Sequence, residues 1–218
     1  MGEPLKRSVG HLLILPVKLI LLVLVFFSAG TSAQVNHVTQ NGAITPTPAP
    51  TPDDMISGGI DRVSRLARLS ALKSAKLARN DREVRIWYGF GLILLEGFVI
   101  KRNNNQWSAF HLKADGHNPR YITKVARIQL QVPKSGWEKC WQRLADAGIL
   151  TLPSGIEEPD PDAEGFYVET MTDGSYRNYE YFSPEYSKAP NAKLMLAIGD
   201  IISEEFGLAR FHVARRSQ

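Results

Sequence analysis

The sequence has 218 residues, of which 44% are hydrophobic and 22% are charged, as in ordinary soluble globular proteins. Its net charge is +4, but residues 81–208 hold 14 Lys and Arg against 18 Asp and Glu, so the charge gives no argument for a nucleic-acid partner. The single cysteine, Cys140, excludes an intramolecular disulfide.

Residues 1–33 have the features of an export signal. Lys6 and Arg7 precede an uninterrupted apolar core at 19–27, and small residues follow it up to Ala33. Nine apolar residues are too few for an ordinary membrane span, which predicts a cleaved signal peptide. If Lys18 snorkels and the segment is kept, it is an N-terminal anchor instead. We therefore expect a periplasmic or extracellular protein, released or tethered to the membrane.

Two segments connect this leader to the rest of the chain. Residues 34–53 are rich in Pro and Thr, which favours an extended, disordered linker. Residues 54–80 read as a basic helical connector, with an amphipathic helix predicted over 60–79. Its cations either contact an anionic polymer or lipid surface or simply keep a connector soluble. They are Arg62, Arg65, Arg68, Lys73, Lys76 and Arg79.

Residues 81–208 have the pattern of a globular α+β domain. Strands are predicted at 83–90, 92–101, 106–113, 121–132, 165–171 and 176–182, with an interruption at Gly97 that suggests a bulge. Asp173-Gly174 is a strong hairpin signal. Short turns between strands favour a largely antiparallel sheet of about six strands.

Two helices complete this domain. Ser135 and Glu138 have the spacing of a capping box for a helix that ends at Gly148. A second helix starts at Pro190 and ends at Gly207. We expect both helices to pack on one face of the sheet, and residues 209–218 to form a flexible tail. Cys140 lies in the apolar stripe of the first helix, which predicts a buried thiol.

No catalytic residues, cofactor site or metal site can be assigned from the sequence. The five histidines lack a His or Cys partner at helical spacing, and no nucleophile elbow or phosphate-binding glycine loop is present. In the acidic loop 157–164, Asp160, Asp162 and Glu164 match the start of an EF-hand, but position 12 would be Met171. A solvated acidic loop and a calcium site of another type both remain open.

Aromatic residues are the remaining hint of a binding surface. Strict alternation cannot bury all the rings of the strand at 176–182 on one face, so some must lie near a surface, where they could stack on a ligand or partner. The alternative is a helix-covered face with ordinary amphipathic tyrosines. The candidate residues are Tyr176, Tyr179, Tyr181, Arg177, Trp87 and Trp107.

Three segments carry a resemblance to known sequences. These are Gly136-Trp-Glu-Lys-Cys-Trp141, Ala147-Gly-Ile-Leu-Thr-Leu-Pro153 and Glu204-Glu-Phe-Gly207. Together they resemble uncharacterised exported bacterial proteins over about residues 80–208. The resemblance implies no activity, cofactor or catalytic residue.

The sequence therefore favours an exported, non-catalytic binding or interaction domain of the bacterial cell envelope. Its partner would be an envelope polymer, the membrane surface or another protein. Two alternatives are an envelope-associated hydrolase that uses carboxylates and a protein that adheres to anionic polymer or lipid through residues 60–79.

Overall fold

A computed structural model describes residues 52–90, 95–116, 121–155 and 164–211. The predicted leader, residues 34–51 of the linker, positions 157–163 of the acidic loop and residues 212–218 of the tail lie outside the described residues.

The centre of the fold is one six-stranded antiparallel sheet with the strand order β4-β3-β2-β1-β5-β6. Tight turns at Asn104-Asn105 and Asp173-Gly174 join two of its strand pairs, and all four residues have the positive φ that such hairpins require. The predicted α+β class with a largely antiparallel sheet is confirmed. The strands are β1 (Arg82–Gly89), β2 (Glu96–Asn103), β3 (Gln106–Ala114), β4 (Val125–Gln129), β5 (Gly165–Thr172) and β6 (Ser175–Phe182).

One face of the sheet packs against two helices, α2 (Trp137–Asp146) and α3 (Pro190–Phe206). Both helices contribute buried side chains to one core cluster with the Val84, Ile86 and Tyr88 side of β1. Arg143 on α2 also pairs with Glu204 and Glu205 on α3. We call this the α2–α3 face.

The ends of α2 and α3 differ in how well the sequence predicted them. Gly148 and Gly207 both have a left-handed φ at the predicted stops. The predicted capping box of α2 is wrong, because none of the described side chains caps the N-terminus of this helix. The backbone N–H of Ser135 donates to Glu205 instead, and the carboxylate of Glu138 accepts from Trp107.

The opposite face is covered by α1 (Pro52–Leu66) and a 3₁₀ turn at Leu72–Ser74. The apolar stripe of α1 joins a second buried cluster with side chains of β1, β2 and β3, and we call this the α1 face. Its principal members are Ile56, Ile60, Val63, Ala67, Trp87, Val99 and Leu112.

A continuous helix over 60–79 is therefore a wrong prediction. The helix ends at Leu66, and Arg68 has a left-handed φ of 56°. Continuing the helix would have kept Leu69 and Leu72 on the basic side of its surface. Because the helix ends at Leu66, the chain turns back toward the protein, and Leu72 becomes buried with only 1% of its surface exposed.

Packing of α1 on the sheet predicts a stability effect. Val63 is fully buried, so Val63→Ala should lower the free energy of unfolding by about 1–3 kcal/mol through lost burial and a cavity. Leu66→Ala, on the same helix at a position that is 40% exposed, is the matched control and should cost much less. Urea denaturation measures both, and equal losses would mean that α1 is not part of the core.

Candidate ligand-binding site

A cleft of about 650 Å³ opens on the α1 face, between α1, the chain that follows it and strands β1, β5 and β6. This volume is within the usual range for small-molecule sites. Its lining combines apolar side chains, such as Ile60 and Leu69, with the charged groups Arg85 and Glu169. The cleft is therefore the strongest candidate site in the described part of the chain.

Strand alternation places these charges in the cleft. On β1, the odd-numbered residues Glu83, Arg85 and Trp87 point away from the core that holds Val84, Ile86 and Tyr88. In the antiparallel register, Arg85 lies directly opposite Glu169 of β5. Because α1 packs over the neighbouring apolar part of this face, the polar part is left beside it as the cleft floor.

Arg85 and Glu169 are both buried, and each forms hydrogen bonds with other residues and not with the other. Nε of Arg85 donates to Oε1 of Glu83 at 2.7 Å, and this side chain is 2% exposed. The two oxygens of Glu169 accept from Nε1 of Trp87 at 2.9 Å and from the hydroxyl of Tyr176 at 3.2 Å. Within the described residues, no ion pair joins Arg85 to Glu169.

The tyrosines of the cleft are protonated donors. Burial, followed by the nearby charge of Glu169, raises the pKa of Tyr176 well above its ordinary value. Burial likewise raises the pKa of Tyr167, whose hydroxyl accepts a hydrogen bond from Asn178. The Tyr167 hydroxyl can therefore donate its own proton to a ligand at neutral pH, whereas the Tyr176 hydroxyl already donates its proton to Glu169. Neither group can act there as a tyrosinate base.

Trp87 separates the polar floor from the apolar core under α1. It is fully buried, and its ring packs on Gly97, where an added Cβ would lie 2.7 Å from a ring carbon. The predicted bulge at Gly97 is wrong, since the residue pairs in register with Trp87 and Leu112. The glycine instead makes room for the indole. Trp87 is therefore not part of the aromatic surface that the sequence predicted, although its Nε1 donates a hydrogen bond to Glu169 in the cleft.

Tyr179 and Tyr181 are also buried, so they are not part of the predicted aromatic surface either. They are 2% and 4% exposed and belong to the core of the α2–α3 face. Their hydroxyls donate to the carbonyls of Ile149 at 2.8 Å and Pro153 at 2.7 Å. The chain that leaves α2 covers these rings, which strand alternation alone could not show.

Of the other predicted aromatic-surface residues, only Tyr176 lines the cleft. Arg177 is exposed and donates to the carbonyls of Leu150 and Leu152, so it holds the loop after α2. Trp107 is half-buried, stacks on Trp137 with ring centroids 6.3 Å apart and bonds to Glu138. The structure does not bring these three residues together.

The basic residues of 60–79 are dispersed. Arg62 is half-buried and donates to the carbonyl of Ile122, while the other five are exposed. Arg65 and Lys73 lie at the rim of the cleft. Arg68, Lys76 and Arg79 are outside its lining.

The remaining ionisable candidates do not form a second site. In the described ranges no group of three or more His, Cys, Asp or Glu side chains is placed to hold a metal ion. His111 forms a buried pair with Glu96 at 2.6 Å, while His117, Asp160 and Asp162 lie outside those ranges. Burial, followed by the charge of Glu205, raises the pKa of the Cys140 thiol to about 12, so this buried thiol is not a nucleophile at neutral pH.

Sequence reasoning missed the roles of Arg85, Glu169 and Tyr167. One feature of the sequence pointed to Arg85, because it is a charged residue that alternates with core residues inside an apolar strand. The sequence does not show that Arg85 lies beside Glu169, because the two are 84 positions apart and their pairing depends on the strand order.

Comparison with known protein families and with curated proteins found no match for this chain. Among the helices that the structure describes, none is both long and apolar enough to cross a membrane.

Proposed function

We propose that this protein is an exported, non-catalytic domain of the bacterial cell envelope that binds a small polar ligand in the cleft. One observation carries the proposal: Arg85 and Glu169 are buried at the floor of a 650 Å³ opening without neutralising each other. Burying charged groups is costly unless their interactions are completed, and a ligand in the cleft can complete them.

The contacts in the cleft support binding more than catalysis. Glu169 already accepts two hydrogen bonds, from Trp87 and Tyr176, which fix its orientation. The raised pKa values of Tyr167 and Tyr176 keep both phenols protonated. These are properties of a rigid recognition surface with fixed donors and acceptors. The carboxylate-hydrolase alternative needs two carboxylates for proton transfer, but Glu83 is paired with Arg85 and both oxygens of Glu169 already accept hydrogen bonds.

Export is the second part of the proposal and rests on the leader at 1–33. If the signal is cleaved after Ala33, N-terminal sequencing of the mature protein from its native host should start at Gln34. Recovery of Met1 in the membrane fraction would mean a retained anchor. Recovery of the intact chain in the cytoplasm would contradict export.

Filling the cleft should abolish ligand binding. Ala71 is exposed and lines the cleft, so the indole in Ala71→Trp should occupy part of its volume. Ala78→Trp is the matched control, because Ala78 is exposed and lies outside the lining.

The measurement is a titration of the isotope-labelled protein, followed by NMR, with leucine, glucose, succinate, inorganic phosphate and spermidine. We expect at least one probe to shift the Trp87 indole and Tyr167 amide signals saturably, in the Ala78→Trp variant as in the wild type but not in Ala71→Trp. If no probe shifts these signals, or if Ala71→Trp leaves the shifts unchanged, the cleft is not the binding site.

A further inference from the structure

We propose that the cleft recognises the zwitterionic head group of an α-amino acid, with Arg85 binding the carboxylate and Glu169 the ammonium. This inference rests on the proposed function, because it assigns a ligand class to the same cleft.

Arg85 has donors to spare for a carboxylate. A guanidinium has five N–H donors in a planar fork that matches the two oxygens of a carboxylate. Among the described residues, Glu83 is its sole hydrogen-bond partner, and it uses only Nε. The two terminal nitrogens of the guanidinium are therefore available to bind a ligand, although only 2% of the side chain is exposed. A ligand carboxylate would complete these bonds in a charge-assisted, bidentate pair.

Glu169 offers the complementary charge. Its described partners, Trp87 and Tyr176, are neutral donors, so its negative charge is not balanced by either of them. A carboxylate has about four acceptor positions, and these two hydrogen bonds leave room for an ammonium N–H. The two neutral donors also fix the carboxylate in position before a ligand arrives, which reduces the entropy lost on binding.

The spacing of the two groups suits this head group. Arg85 and Glu169 are register partners on adjacent antiparallel strands, whose Cα atoms are about 4.5–5.5 Å apart, with their side chains on the same face. In an α-amino acid, the carboxylate and the ammonium are attached to the same carbon. One head group can therefore lie across both side chains, whereas a simple anion would engage Arg85 and face Glu169 with like charge.

The charge balance also favours a zwitterion over an anion. Counting the described side chains that line the cleft or form an ion pair with a lining side chain, Arg65, Lys73 and Arg85 are balanced by Asp61, Glu83 and Glu169. An overall neutral site attracts a multiply charged anion such as phosphate only weakly. Separated positive and negative groups instead fit a ligand that carries both charges.

The rest of the lining indicates an apolar side chain on the ligand. Ile60, Leu69 and Leu72 line the cleft beside the ring of Tyr167. The cleft is larger than a head group requires, so these residues can contact the remainder of the molecule. We therefore choose leucine as the probe.

The test compares three ligands on the full-length wild-type chain by NMR titration of the Trp87 indole and Tyr167 amide signals. L-leucine carries both charges, N-acetyl-L-leucine only the carboxylate and L-leucinamide only the ammonium. We expect leucine to bind at least about tenfold more tightly than either analogue, because each analogue loses one charge-assisted interaction. No variant is needed for this comparison, so it does not depend on the folding of a mutant.

Two variants assign the roles. Arg85→Lys should weaken leucine binding by about tenfold or more, since lysine lacks the bidentate fork. Glu169→Gln should weaken it similarly while leaving N-acetyl-leucine unaffected or better bound, a pattern that general destabilisation would not produce. Arg79→Lys is the matched control outside the cleft, and it should leave leucine binding unchanged.

The outcomes separate this inference from the proposed function. Equal binding of leucine and N-acetyl-leucine would overturn the role of Glu169, and equal binding of leucine and leucinamide would overturn that of Arg85. If leucine fails to bind while glucose, succinate, phosphate or spermidine shifts the cleft signals, the amino-acid inference falls and the proposed function stands. If all five probes fail, both fall.

Discussion

The hydrogen bond from the Trp87 indole to Glu169 is the interaction on which the α1 face depends. The ring of Trp87 belongs to the apolar cluster under α1, and its one polar atom reaches the buried carboxylate at the cleft floor. One side chain thus contributes to the core and fixes the orientation of a charged group. Gly97 makes this possible, because no larger residue on β2 would leave space for the indole.

This arrangement explains why the two sides of one sheet differ. The α2–α3 face buries an almost continuous apolar cluster, whereas the α1 face combines an apolar cluster with the buried charged side chains of Glu83, Arg85 and Glu169. Beyond α1, that face carries the charged side chains of Arg85 and Glu169, which have Glu83, Trp87 and Tyr176 as partners. The early end of α1 at Leu66 brings Leu72 and Lys73 to the other side of the opening, which completes a cleft instead of a flat surface.

Much of the fold could be predicted, because it depends on local patterns. Alternation placed Val84, Ile86 and Tyr88 on one face of β1 and Arg85 and Trp87 on the other, and Asp173-Gly174 indicated its hairpin. The site could not be predicted in the same way. It requires β1 to pair with β5 across more than 80 positions, and it requires the loop after α2 to cover Tyr179 and Tyr181. Those contacts are decided by tertiary packing, which a short sequence window does not contain.

The central claim is that Arg85 and Glu169 face one cleft without pairing with each other, and a crystal structure of the unliganded protein tests it most directly. We expect Nε of Arg85 to donate to Glu83 and the oxygens of Glu169 to accept from Trp87 and Tyr176. The terminal guanidinium nitrogens should face the cleft. A direct bidentate ion pair between Arg85 and Glu169 would contradict it, because the two charges would then neutralise each other and need no ligand.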